Sequence, residues 1–170
     1  MEVYNSTISI LKYLSKFAPV HTIEGNVLIS TSADVKKIYN KSKIKIPSTK
    51  TAIEKMKNVK LIKNRLRILN GLKIGFLEYF TDVSWIREFK PENYKNNLKK
   101  AKKESEKSEK ILKGFGKIDI LLCHQPPYRF LDKVSSKYNP PGNWIGKHAG
   151  SKIILNYIKK YQPKYVFCGH

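Results

Sequence analysis

The sequence predicts an α/β fold, a sheet flanked by helices, and three observations carry that reading. Two short apolar runs, Ile118 to Cys123 and Tyr165 to Cys168, each lead up to a histidine, His124 and His170. Runs of this kind, bounded by turn residues, read as strands buried on both faces. Between them Ser151 to Tyr161 has a helical pattern that Pro163 stops, and strand, helical crossover, strand is a parallel unit. Finally, Leu66 to Leu69 and Leu72 to Leu77 flank Asn70-Gly71, the strongest short hairpin signal, which would lead into the same central sheet.

The remaining elements follow in chain order. Asn5, Ser6 or Thr7 is positioned to cap a first helix, with Ile10, Leu14 and Phe17 on one face and Pro19 at its end. Pro19 to Glu24 reads as a strand, inside which His21 is a packed or edge histidine. Residues 29–58 carry turn residues at Ser30, Thr31, Ser32 and Asp34, and a short helix over Thr49 to Lys57. Tyr79 to Pro91 reads as irregular: either a surface connection anchored by Trp85 and Phe89, or an active-site loop using Asp82, Arg87 and Glu88. Glu92 to Lys113 is a long lysine-glutamate helix with a thin stripe of Tyr94, Leu98, Ala101, Ile111 and Leu112, interrupted by Ser105 and Ser108. It reads as an exposed helix laid on the sheet, stopped by Gly114 and Gly116.

Composition bounds the function classes. A chain of 170 residues suits one domain with a sizeable core. No run approaches the roughly 20 apolar residues of a membrane span. No basic region followed by an apolar run opens the chain, so the expectation is a cytoplasmic protein without a membrane. Two cysteines make no disulfide framework. The formal charge of +21 attracts nucleic acid. Nearly all of it is lysine, however, with arginine only at 65, 67, 87 and 129, and the lysines are spread over every segment. A composition-wide bias explains that spread without a nucleic-acid partner. There is no Gly-x-Ser-x-Gly elbow, Walker loop or dinucleotide fingerprint.

The chemistry-bearing residues gather at strand ends. Both histidines sit at the carboxyl ends of parallel strands, the edge where open α/β sheets place ligands. Gly25-Asn26 follows the third strand, so three strand ends offer Asn26, His124 and His170. An amide oxygen and two imidazoles suit a borderline divalent metal such as Zn, Mn or Fe. Cys168 could share a face with His170, whereas Cys123 faces away from its neighbour His124. Either cysteine also reads as a buried apolar residue.

This ordered set resembles the calcineurin-like metallophosphoesterases. Gly25-Asn26 is similar to that family's Gly-Asn-His-Asp/Glu motif. Leu121-Leu122-Cys123-His124-Gln125-Pro126-Pro127-Tyr128 is similar to its histidine after a buried strand, and Gly169-His170 to the start of Gly-His-x-His. The Gly-rich segment Gly142 to Ser151 resembles a loop of some members. The resemblance implies an α/β sandwich of mixed sheets flanked by helices. It also implies a hydrolase of phosphomonoesters or phosphodiesters that uses two divalent cations, Mn, Fe or Zn, to clamp the phosphate. Asn26, His124 and His170 would ligate the second metal.

Departures from the family pattern set further expectations. The Asp-x-His and Gly-Asp-x-x-Asp motifs are absent, and Val27 stands where the family carries a histidine that helps protonate the leaving group. No catalytic residue is therefore assigned. The chain is read as a domain over residues 1–170 that is incomplete at its N-terminus, a fragment or a degenerate remnant, inactive by itself and holding at most one weak metal. His148, ahead of a helix that Ser151 caps, is a candidate contact to a substrate phosphate, or a loop histidine without a role. Asp119 and Asp132 read as surface or capping residues. The alternatives are a basic nucleic-acid-binding module and a pseudo-enzyme subunit whose partner supplies the missing ligands.

Overall fold

The structure is a computed structural model and describes residues 2–25, 39–41, 43 and 48–169. Its contacts divide the chain into two units, residues 1–63 and 64–170.

In the first unit, α1 (Glu2–Leu14) precedes β1 (Val20–Thr22), α2 (Thr49–Glu54) and β2 (Val59–Leu61). β1 and β2 pair in parallel, with Val20 opposite Val59 and His21 opposite Lys60. Ser48 caps α2 by accepting a hydrogen bond from the Thr51 amide, which ends up as the short helix expected there. The first helix differs from expectation. It begins at Glu2, so Asn5, Ser6 and Thr7 lie within it rather than at its cap. Ile8 and Leu11 face the small core with Ile53 and Val59, and Tyr4 packs against them. Ile10 and Phe17 are 57% and 73% exposed. Two apolar stripes at helical spacing compete on α1, and Ile53 and Val59 cover only that of Tyr4, Ile8 and Leu11.

In the second unit, β3 (Arg65–Leu69) and β4 (Leu72–Leu77) form the predicted hairpin. Asn70 and Gly71 both have positive φ, 49° and 79°, the conformation whose twist matches the paired strands. β4 then pairs in parallel with β5 (Ile120–Cys123), and β5 with β6 (Tyr165–Cys168), giving a mixed sheet in the order β3-β4-β5-β6. Three helices accompany it: α3 (Val83–Phe89), α4 (Tyr94–Phe115) and α5 (Lys152–Tyr161). Leu77, Leu112, Leu121 and Ile154 lose essentially all exposure in the core. Each such side chain stabilises the fold by about 1.5–3 kcal/mol relative to remaining in water. At Gly75 a Cβ would lie 2.7 Å from the Phe115 ring and 2.8 Å from Ile118, so α4 closes on β4 only over a glycine.

Three sequence expectations need correction here. Residues 79–91 are not wholly irregular, because Asp82 caps α3 by accepting from the Ser84 amide at 2.7 Å. Ser105 and Ser108 do not interrupt the inward stripe of α4; they are buried in it with Ala101, Leu112 and Phe115. Small residues let α3 approach, and Ser105 Oγ accepts from the Val83 amide at 3.1 Å. β6 is not buried on both faces: Tyr165 and Phe167 are exposed on this edge strand. Among the described residues no helix is long and apolar enough to cross a membrane.

Candidate functional site

His124 is set at the carboxyl edge of the sheet by the strand that precedes it. β5 is flanked on both sides by parallel strands, Cys123 lying between Leu77 and Cys168. The Gly169 amide donates to the His124 carbonyl at 3.2 Å, tying the end of β6 to the end of β5. The His124 ring meets Tyr79 edge-on, centroids 5.6 Å apart.

The next residue turns inward. Gln125 Nε2 donates to the Phe80 carbonyl, and the Cys123 thiol donates to the Gln125 carbonyl at 3.3 Å. Burial, with Cys168 nearby adding to it, pushes the Cys123 thiol up to about 12, so it is a packed thiol and not a thiolate ligand or nucleophile. Gln125 Oε1 is buried and, among the described residues, has no hydrogen-bond donor. The chain leaving β5 is therefore fixed by Gln125 before it reaches Pro126 and Pro127.

A second focus lies in the loops that follow. Asp132 is buried, its side chain 1% exposed. Its Oδ2 accepts from the amides of Arg129 at 2.8 Å and Gly150 at 3.1 Å, and its Oδ1 lies 2.6 Å from His148 Nδ1. The backbone repeats the connection: Ala149 N donates to the Asp132 carbonyl at 2.8 Å, and Val134 N to the Lys147 carbonyl at 2.9 Å. Gly150 must be glycine, because a Cβ there would lie 2.7 Å from both Asp132 Oδ2 and the Pro127 carbonyl. One residue on, Ser151 Oγ donates to Asp82 Oδ2 at 2.5 Å while accepting from the Ile154 amide at 3.1 Å as the cap of α5. Asp82 and Asp132 thus each engage the 148–151 turn.

A family model for calcineurin-like phosphoesterases matches residues 2–170. The chain belongs to the calcineurin-like phosphoesterase family. No curated protein and no solved structure matches it significantly. Calcineurin-like phosphoesterases act on phosphoester substrates and in general bind divalent metals.

Measured against that membership, the residues singled out in the sequence fare unevenly. Asn26, Val27 and His170 lie outside the described residues. His124 stands at the strand end expected for it. His148 is described and has a defined partner, Asp132. Asp132, read as a surface or capping residue, is not at the surface: it is buried, and its carboxylate caps the Arg129 and Gly150 amides. Its spacing of 16 from His148 carries no local signal, and only the pairing of the two loops brings them together. Asp119, by contrast, does cap the start of β5. It accepts from the Lys73 amide at 2.9 Å and pairs with Lys164 at 3.0 Å, and these contacts hold its carboxyl below the usual value.

Among the described residues, no group of three or more His, Cys, Asp or Glu side chains is gathered so as to hold a metal ion. Asp132 and His148 are turned toward each other, and Cys123 is a buried thiol. The described donors by themselves therefore do not make a metal centre. A cavity of about 310 Å³ lies beside the second focus, lined by Pro126, Leu131, Asp132, Val134, Pro140 and Ala149 among others.

Proposed function

We propose that this chain is a phosphoesterase domain whose intact site hydrolyses phosphomonoesters or phosphodiesters with divalent metal. The observation that supports it most is the family match over residues 2–170. The position of His124, at the carboxyl end of a central parallel strand, is consistent with a ligand role. The resemblance adds Asn26 and His170 as ligands. All three are neutral, so they do little to offset the lost hydration of a cation. Zn accepts nitrogen donors and is held more tightly than Mn by such a set. Neither an Asp-x-His nor a Gly-Asp-x-x-Asp is present in these 170 residues, which argues for negligible turnover by this chain in isolation.

Metal analysis of the purified chain tests the reading. We expect at most one weakly held ion per chain, Zn in preference to Mn, lost in His124→Ala and retained in His21→Ala and His148→Ala. Hydrolysis of nitrophenyl phosphate and bis-nitrophenyl phosphate should be negligible. Two tightly bound metals, rapid hydrolysis, or metal retained by His124→Ala would each show the assignment to be misplaced. The charge of +21 supports a second reading, a nucleic-acid-binding module. It requires affinity for RNA or DNA that falls steeply with salt, and an absence of gel shift at low salt would sink it.

A further inference from the structure

Three positively charged or polarised groups collect on one aromatic ring at the second focus. Lys152 Nζ lies 4.8 Å from the Tyr128 ring centroid and Arg129 Cζ lies 5.6 Å from it. The His148 ring centroid is 5.2 Å away. Among the described residues neither Lys152 nor Arg129 has a carboxylate within ion-pair distance, whereas Lys100, Lys113 and Lys164 all do. The carboxylates that hold the adjoining turn are already engaged. Asp132 is buried on His148 and two amides, and Asp82 is bonded to Ser84 and Ser151. The neighbouring Lys147 is likewise occupied, donating to the Glu88 carbonyl at 3.1 Å.

Two details mark this as more than stray surface charge. Lys152 occupies the first turn of α5, which has no acidic residue. A cation there opposes the helix dipole, an arrangement that an anion would relieve. The imidazole is also pre-oriented. Asp132 holds Nδ1, the Lys133–His148 backbone bridge holds the main chain, and the ring keeps 22% of its side-chain surface exposed. Holding Nδ1–H on the carboxylate turns Nε2 outward, where it accepts in the neutral ring and donates in the imidazolium.

We propose that His148, Lys152 and Arg129, gathered about Tyr128, form a phosphate-binding subsite, in which the two cationic heads, and Nε2 of His148 as the imidazolium, donate to phosphate oxygens. The inference takes its ligand class from the phosphoesterase reading, but the subsite is built by this chain's own residues without metal. A fork of guanidinium donors and an ammonium suits a phosphate dianion.

The test is calorimetric titration of the full chain with inorganic phosphate at low ionic strength, in the presence of EDTA. Wild type should bind, and Lys152→Gln and Arg129→Gln should each weaken binding about tenfold, the loss expected for one charge-assisted hydrogen bond. Both heads are exposed, so these variants should stay folded, unlike replacements of His148 that strand buried Asp132. Lys102→Gln removes the same charge from the exposed face of α4 and should change affinity by less than about twofold. In parallel, phosphate should shift the Nε2 resonance of His148 in nitrogen-correlated ring spectra. Equal weakening by all three charge variants, or an unmoved His148 ring, would overturn the subsite. Phosphate affinity that disappears with EDTA or in His124→Ala would assign the anion to metal at the strand end and also overturn it, with the phosphoesterase reading left standing. A chain that binds phosphate here but never binds metal would do the reverse.

Discussion

Replacing Asp132 with alanine removes three hydrogen bonds at once. The Arg129 amide belongs to an exposed residue and can turn to water, so its loss costs only about 0.5–1.5 kcal/mol. The Gly150 amide belongs to a buried residue and would be left without an acceptor, at about 1–3 kcal/mol. The bond to His148, 2.6 Å long on a carboxylate, contributes a comparable amount. Allowing for non-additivity among groups sharing one carboxylate, the expected destabilisation is about 3–5 kcal/mol. Asp132→Asn keeps an acceptor oxygen and the volume, and should cost about 1–2 kcal/mol. Urea unfolding followed by tryptophan fluorescence is well placed to read this. Both tryptophans, Trp85 and Trp144, lie in the second unit and pack against Phe89 and each other. With a slope of about 2 kcal/mol per molar urea, the alanine variant should lower the midpoint by about 2 M. A destabilisation below about 0.5 kcal/mol, the range of an ordinary surface change, would refute the view that Asp132 clamps the two loops together.

Leu131 is 97% exposed with φ of 55°. Leu131→Gly should therefore raise stability by about 0.5 kcal/mol, left-handed strain of ~1–2 being relieved against added chain entropy of ~0.4–1; a loss of stability in the same urea assay would show that Leu131 has contacts that matter. Gly75→Ala should destabilise the second unit by about 1–3 kcal/mol through overpacking on Phe115 and Ile118, and a neutral result would mean α4 can shift outward freely. Cys123 should resist alkylation by iodoacetamide at pH 8 while exposed Cys168 reacts, as mapped by peptide mass spectrometry. Because the folded thiol titrates at about 12 against an ordinary value of 9.0, its contribution to stability is complete below pH 9 and is lost as pH rises from there toward 12. Cys123→Ala should flatten the alkaline arm of the stability profile, and an unchanged arm would count against this burial effect.

The parts that were legible in the sequence are those where neighbouring residues settle the matter among themselves. Asn70-Gly71 forms its turn because both residues tolerate positive φ, so the hairpin needs no distant help. The β5–α5–β6 unit is legible because apolar runs, a serine cap and Pro163 mark its ends, and a parallel pair requires a crossover. His124 could be placed at a strand end for the same reason. Where two local solutions are nearly equal, local signals fail. On α1 the stripe through Ile10 and Leu14 is as apolar as that through Ile8 and Leu11, and the choice rests with Ile53 and Val59. Ser105 and Ser108 look like breaks in a core face until α3 is seen to need small residues opposite it.

The candidate site divides along the same line. The types and order of the residues that carry chemistry, Gly25-Asn26, His124 with its double proline, and Gly169-His170, are properties of the chain read as a string, and they were sufficient to indicate the family. That Asp132 is buried, that it meets His148 at 2.6 Å, and that Lys152 and Arg129 share the Tyr128 ring are not. These facts join residues 16 to 24 positions apart through loops with no repeating period. Periodicity can report only which residues share a face of one element. The cost of burying a carboxylate, and the amides and imidazole that offset it, are decided when separate loops close on one another.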